Sequence, residues 1–591
     1  MEHLKIKQRT SGFIESSNII EYLLQLRGIR KSEIKHFLFP SSSIKPNYEK
    51  LDNLDEAVEK LKEHIEKGSH IKIPRDMDMD GFASAAIIYQ FITKDLNYKN
   101  VSTYTPSTKV HGINVQDTLE SEAQLLFVTD AGSSDFDEHK ELKDNGVDVV
   151  IIDHHLVQDN RYSDDAIVVN NQLSINFKWK ALTGAPMTLL FCEAYSDKYD
   201  LNIKTDKYLD LAAVGMIADR ASLKDTGAFY IAHEGLKKIN NPLLQGMLIN
   251  DKNIENEKSI TPKDVEWTIA PAINAMTRLG VKEHIELVND ALSGADYAVF
   301  NSRLKGEFSV VEESIRKMKS TRSKQSAQVK EAIEILEAKI EEKETYKNQV
   351  LFVNATGVTD NTGLNGLIAI KLASKYKRPT LVLSYNEHTG LLTGSGRNFT
   401  NSPVEDFKGE LEKSGMFEYV AGHSSAFGVG IELENAMEVI EVLNQQLVTI
   451  EYDDLTHEVD ISYSKKPDPQ EIMEIANHEY LWGNGIERPL IHVHSIEMDK
   501  KDIKFIGKKG DTWKLSIGVV DGIMFGLSEE QKLSLTNHDS DTIIINLVGE
   551  AGINSYMGQK KPQLMIKDFE VKEGGENSDP WMNFDVTALP F

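Results

Sequence analysis

The stretch HIKIPRDMDMDGFASAAIIYQFI, residues 70–92, decides how the rest of the chain is read. An apolar run, HIKIP, is followed by an acidic turn and then by small and apolar residues, which predicts strand, turn and helix in that order. Asp76, Asp78 and Asp80 alternate through the turn. Three carboxylates packed between two buried elements repel one another, and a hard divalent cation with oxygen ligands relieves that repulsion. Gly81 permits a backbone that bulkier residues do not. Ala83, Ser84 and Ala85 let the start of the helix come close to whatever the metal holds. A helix N-terminus attracts anions, so a phosphate is the natural guest. Taken alone, the pattern also fits a calcium loop or a solvated acidic turn.

The following segments break that tie. LLFVTD ends at Asp130 and is followed by Ala131-Gly132; VDVVII is followed by Asp153-His154-His155; YLDLAAVGMIAD ends at Asp219. Each acid closes an apolar strand or buried segment, and in open α/β sheets that edge is where ligands bind. The candidate metal ligands are therefore Asp78, Asp80, Asp130, His154 and Asp219, with Asp76, Asp153 and His155 beside them. Mixed carboxylate and imidazole donors suit Mn²⁺ or Mg²⁺. Five ligands are too many for one ion with an open position, so two ions about 4 Å apart fit better.

This constellation resembles the DHH phosphoesterase superfamily, and further pieces narrow the resemblance to RecJ-like single-strand exonucleases. The pieces are IPRDMDMDG, FVTDAG, IIDHHL, LTGA (182–185), VGMIAD, INAMTRLG (273–280), GSGR (394–397) and AGHSSAFGVG (421–430), with WGNGIERP (482–489) opening a nucleic-acid-binding OB domain. Two positions depart from the family pattern. Ala421 stands where the DHHA1 signature has glycine, and Lys109 stands where an arginine is common. Lysine keeps the charge but loses the bidentate fork that grips phosphate.

The resemblance implies an α/β fold: a DHH parallel-sheet domain and a DHHA1 α/β domain joined by a long helix, then an OB-like β-barrel. The expected layout is an N-terminal helical arm over 1–50, the DHH catalytic domain over 51–300, the connecting helix over 301–345, DHHA1 over 346–450, the barrel over 451–572 and a tail over 573–591. The stretch SIRKMKSTRSKQSAQVKEAIEILEAKIEEKE reads as the connecting helix. Six short β-rich runs after residue 488, separated by Gly and Asn turns, suit a small barrel.

Composition agrees. A chain of 591 residues that is 40% hydrophobic supports three or four domains with sizeable cores. The single cysteine, Cys192 in TLLFCEAY, excludes a disulfide framework and reads as a core filler in a reducing interior. No apolar run approaches the ~20 residues of a membrane span, so a soluble cytoplasmic enzyme is expected. The net charge of −26 opposes nucleic-acid binding if spread evenly. Two local runs reverse the sign. Arg316, Lys317, Lys319, Arg322, Lys324 and Lys330 form one. Lys500, Lys501, Lys504, Lys508 and Lys509 form the other, with Phe505 inside it and Trp513 just beyond. Cations interleaved with rings suit a single strand, although each run also fits a solvated face.

The second α/β unit carries Ser395 and Arg397 in one glycine-rich turn and Gly422 and His423 in another, a backbone, guanidinium and imidazole clamp for phosphate. By resemblance, Lys109, Arg278, Ser395, Arg397, Gly422 and His423 hold the terminal phosphate. His155 contacts the scissile phosphate, Asp76 and Asp153 orient ligands, and Lys501, Lys504, Lys508 and Lys509 hold the strand further out. The implied activity is 5′-to-3′ hydrolysis of single-stranded DNA to mononucleotides with two Mn²⁺ or Mg²⁺ ions, in recombination, repair or replication, by a monomer. Three other readings belong to the same superfamily: a small-substrate phosphodiesterase, a manganese pyrophosphatase and a non-catalytic replication scaffold. The end of the chain, WMNFDVTALPF, is similar to the tip of bacterial single-strand-binding proteins, and such a protein or its recombination partners would then be its contacts.

Overall fold

The computed structural model describes residues 4–9, 18–105, 112–248, 260–359, 361–452, 456–556 and 558–573. The chain divides into two compact units. His36–Tyr452 with Gly483–Gly485 form one; the chain up to Lys35, Asp453–Trp482 and everything from Ile486 onward belong to the other.

The larger unit begins with a five-stranded sheet in the order Val101–Tyr104, Ile71–Pro74, Leu125–Thr129, Asp148–Asp153, Ile167–Asn170. All its pairings are parallel. Leu125–Thr129 and nearly all of Asp148–Asp153 are buried, as strands covered on both faces must be. The helix Met79–Gln90 leaves the acidic turn and packs against Gly184–Lys198 and Leu209–Ala218. Asp219 caps the last of these, so it ends a buried helix where the other acids end strands or start a helix.

The long helix runs Val310–Glu342 and starts in a capping box between Ser309 and Glu312. At 33 residues it is about 50 Å long. Val329, Ala332, Leu336 and Ile340 recur on one face and enter the core of a second sheet. That sheet has the order Tyr419–His423, Ala426–Glu432, Leu391–Arg397, Thr380–Asn386, Leu351–Asn354. Only its pair Leu351–Asn354 with Thr380–Asn386 is parallel.

The smaller unit holds a seven-stranded sheet in the order Ile461–Ser464, Leu490–Asp499, Thr542–Tyr556, Gln559–Glu573, Val520–Phe525, Thr512–Ile517, Lys504–Ile506. Two features differ from expectation. The last two strands are not short: they form one hairpin of fifteen residues a side. The first fifty residues hold the helices Ile19–Leu26 and Ile34–Leu38 but are not helical throughout. They open on the strand Lys5–Gln8, which pairs in parallel with Thr456–Val459. Arg27 is buried there and grips Asp460 with both guanidinium nitrogens. No helix of the described residues is long and apolar enough to cross a membrane. Cys192 is buried, as a core filler should be.

Candidate metal centre and phosphate clamp

The acidic turn becomes the N-terminus of a helix. Asp78 is its N-cap, and its Oδ1 accepts the Gly81 N–H at 2.9 Å. Asp80 caps a different helix: its Oδ2 accepts from Gly184 N at 2.6 Å and its Oδ1 from Ala185 N at 3.2 Å. Thr183, the formal N-cap of that helix, makes no capping bond, and its hydroxyl is buried without a partner. The reason is local. Of the two N–H groups a cap at Thr183 would receive, that of Ala185 is taken by Asp80, and Pro186 has none to give.

Asp130 follows its strand at φ 65° and is buried. Its Oδ1 lies 3.1 Å from His154 Nε2, which is also 3.8 Å from Asp219 Oδ2 and 4.0 Å from Asp80 Oδ2. Candidate ligand atoms fall into overlapping sets whose members lie within 4.8 Å of one another: Asp80, His154 and Asp219; Asp76, Asp78 and Asp130; Asp130, Asp153, His154 and His155. Asp153 is spoken for. Its Oδ1 accepts from His154 N at 2.7 Å and His155 Nδ1 at 2.8 Å, and its Oδ2 from Ser133 N at 3.2 Å. Asn170, also buried, donates to Ser133 Oγ at 3.0 Å and to the His155 carbonyl at 2.9 Å.

The electrostatics are those of a site built for cations. Burial, then repulsion from Asp76 and Asp80, pushes Asp78 up to about 6. Burial with Asp80 and Asp78 pushes Asp219 up to about 7. Asp130 is driven well above the usual carboxylate range by burial and by Asp80 and Asp78. Burial would also raise Asp153, but its hydrogen bond to His155, the charges of His155 and His154 and the bond from Ser133 together outweigh this and hold it low. The Asp153–His155 bond, against burial and with help from Asp219 and Asp76, raises His155 to about 9. Oxygen donors with one imidazole and a buried Asp130 Oδ1 lacking a hydrogen bond fit hard divalent ions.

Sequence reasoning missed the residues that make room for these acids. A methyl on Gly184 would sit 2.4 Å from Asp130 Cβ, and one on Gly215 would sit 2.5 Å from Asp80 Oδ1. It also missed Ser133, Asn170 and Thr183. The motifs LTGA and VGMIAD contain three of these five, so the signal lay in pieces already noted for the resemblance.

Across the same unit, Arg278 and Arg397 are electrostatic neighbours. Burial lowers both from the ordinary guanidinium value, and the charge of Arg278 lowers Arg397 further. A methyl on Gly366 would lie 2.8 Å from an Arg397 nitrogen and 3.4 Å from Ser395 Oγ, so the start of the helix Asn365–Tyr376 meets both. Strand register sets Arg397 and His423 on either side of Ala426. Gly422 has φ 133°, and Ala421 occupies an ordinary strand position before it. Lys109 lies outside the described residues.

In the smaller unit, Lys501, Lys504, Lys508 and Lys509 are exposed. Lys501 is paired with Asp499 at 2.8 Å. Trp513 cannot stack on a base: it is fully buried, its ring 4.9 Å from that of Phe569. Strand alternation explains this, because Trp513 pairs with Phe505 and Met524 on the inner face. The outer face carries Lys504 opposite Lys514, and Phe525, which is 62% exposed. In the other basic run, Arg316 and Lys317 both serve the buried Glu313.

A parallel sheet with clustered acids at one edge, together with a second sheet whose Arg397 neighbours the helical Arg278, defines a phosphoesterase of the DHH class. The pattern of the DHH family, N-terminal domain, matches residues 70–216, and that of the RecJ OB domain matches residues 467–568. A Bacillus subtilis (strain 168) protein, provisionally named an SPbeta prophage-derived single-strand DNA-specific exonuclease, is 34% identical over 93% of this chain and 95% of its own length. The single-stranded-DNA-specific exonuclease RecJ of the same strain is 25% identical over 98% of this chain and 70% of its own. The crystal structure of RecJ in complex with Mn²⁺ from Thermus thermophilus superimposes with a TM-score of 0.71 at 20% identity, over 94% of this chain and 76% of that one. The chain belongs to the RecJ-like family of single-strand-DNA-specific exonucleases, which are hydrolases.

Proposed function

We propose that this chain degrades single-stranded DNA from the 5′ end to mononucleotides, using two Mn²⁺ or Mg²⁺ ions, in recombination, repair or replication. The observation that carries it is the adjacency of two ligand sets, Asp80/His154/Asp219 and Asp76/Asp78/Asp130, joined by the 3.1 Å approach of His154 to Asp130. When bound, two divalent ions neutralise the scissile phosphate and make a water acidic enough to react near neutral pH. Asp76, which the sequence reading placed as an orienting group, stands with the ligands. Asp153 orients: it fixes His155 with its charged form turned to the site, where it can contact phosphate. Arg278, Ser395, Arg397, Gly422 and His423 hold the terminal phosphate, and two adjacent guanidiniums favour a dianionic end over an internal diester. Lys109 stands by them on resemblance alone.

Residues 51–300 then supply the chemistry and, through Arg278 and Lys109, one side of the end clamp, 346–450 the rest of the clamp, and 451–572 a surface for the trailing strand. We place the enzyme in the cytoplasm as a monomer, with single-strand-binding protein or recombination proteins as partners. The end of the tail, WMNFDVTALPF, on which that partner was suggested lies outside the described residues. The test is one single strand labelled at either end, digested with EDTA, Mg²⁺ or Mn²⁺, beside an RNA of the same sequence. Label released first as a mononucleotide from a 5′-phosphorylated DNA end is the expected result. Release from the 3′ end first, or cleavage of circular strands, overturns the assignment.

A further inference from the structure

Trp267 is the one tryptophan of the described residues that faces solvent: it is 65% exposed, whereas Trp179, Trp482 and Trp513 are buried. It lies in a π-helical turn, Val265–Ile269, that runs directly into the helix Ala270–Leu279. Single π-turns cost hydrogen-bond geometry and recur at functional sites. Here the turn is braced from outside, because Arg322 of the long helix donates to the Trp267 carbonyl at 2.9 Å. Lys319 lies one turn before Arg322 on the same face of that helix, so a second cation follows the one that holds the Trp267 backbone.

Position on the helix adds direction. Trp267, Pro271, Asn274 and Arg278 follow an i, i+4, i+7, i+11 stripe, while Val265, Ile269, Ala272, Ile273, Ala275 and Met276 are buried on the opposite side. One end of the stripe is therefore the guanidinium pair of Arg278 and Arg397. The other end is the exposed ring, about 16 Å away at 1.5 Å per residue. The N-terminal end of this helix also approaches the segment after Asp219: Pro262 and Leu223 both crowd Gly483.

We propose that Trp267 is a stacking platform for a nucleobase of the bound single strand, a few nucleotides from the end held at Arg278, with Arg322 and Lys319 bearing on the adjoining phosphates. Every base offers a π face, so such a contact grips a strand without reading sequence. It also requires an unpaired base, which gives the protein a reason of its own to prefer single strands. This inference rests on the exonuclease reading above.

The experiment uses the full chain in EDTA with a 5′-phosphorylated single-stranded DNA 12-mer. Trp267→Ala and Trp267→Leu should weaken binding roughly 5- to 150-fold, the span of one base–aromatic stack, and Trp267→Phe should retain most of it. The log–log salt slope should stay at the wild-type value in all three, because no counterion contact is lost, whereas Arg322→Gln should lower its magnitude by about 0.7. Wild-type affinity in Trp267→Ala, or equal losses in the Phe and Ala variants, overturns the proposal. If the wild-type protein binds no strand at all, the exonuclease reading fails instead.

Discussion

Asp130 is held at φ 65°, where Asn is tolerated and Ala is strained by about 1–2 kcal/mol. Asp130→Asn therefore separates loss of a ligand from loss of backbone geometry. Turnover at saturating Mn²⁺ should fall more than about 100-fold, beyond what loss of a supporting partner costs. The melting temperature in EDTA should not fall, because the carboxyl being replaced is already driven toward its neutral form. Near-wild-type turnover would sink the assignment of Asp130 as a ligand. The raised acids also set a pH dependence. Asp78, pushed up to about 6, and Asp219, pushed up to about 7, hold protons more tightly in the folded chain than in the unfolded one. His155, raised to about 9, does the same at higher pH. The metal-free protein should thus lose stability as pH rises through this window, and Mn²⁺, which displaces those protons, should stabilise it more at about pH 8 than at about pH 5. Thermal melts with EDTA or Mn²⁺ across that range check this, and a metal-free stability that climbs with pH there would contradict it. Asp219→Asn should flatten the metal-free slope.

At the scale of elements, the helix Gly184–Lys198 is positioned by an acid from another segment. Its first two N–H groups belong to Asp80, so the helix and the metal site share one set of bonds. Gly184→Ala would place a methyl 2.4 Å from Asp130 Cβ. Overpacking of this kind costs about 1–3 kcal/mol, and here the strain falls on two ligands at once. Reduced melting temperature together with weaker Mn²⁺ binding by calorimetry is expected; an unchanged Mn²⁺ affinity would show that the helix does not set the ligands. Thr183→Val should leave stability nearly unchanged, since its hydroxyl caps nothing. These elements show what the sequence could reveal. Asp130 and Asp153 are legible because each closes a short apolar run of the kind a strand buried on both faces requires. Gly184 and Gly215 are not, because their contribution is the absence of a Cβ against a carboxylate far away in the chain. Trp513 misled for a related reason. Which face a strand residue occupies depends on register with its partners, and Trp513 follows Phe505 and Met524 inward while Phe525 takes the exposed place. Phe525→Ala should accordingly weaken binding of long strands, and Trp513→Phe should act on stability alone.

For the molecule as a whole, the decisive tie is one the linear reading could not contain: the N-terminal segment completes the unit that holds the C-terminal sheet. Two complementary charges more than four hundred residues apart carry no local signal. Arg27 is buried against Asp460, also buried, and donates further to the carbonyls of Glu487 at 3.1 Å and Arg488 at 3.3 Å. Removing one partner of such a pair strands the other charge, at about 3–5 kcal/mol. Arg9 Nε, 3.5 Å from Asp460 Oδ1, already interacts with it and adds no new partner. Arg27→Met should therefore lower the melting of the smaller unit while sparing the larger one, where every proposed metal ligand and clamp residue resides. The consequence for activity follows from that division. A trinucleotide, too short to need the second surface, should be hydrolysed at close to the wild-type rate. A long strand should be bound more weakly and released sooner, so that digestion products shift from complete to partial. Scanning calorimetry resolves the two transitions, and gel analysis of a long 5′-phosphorylated strand resolves the products. If Arg27→Met lowers trinucleotide and long-strand turnover in parallel, the two units do not divide the work, and the C-terminal sheet is part of the catalytic body instead of a separate strand-holding surface.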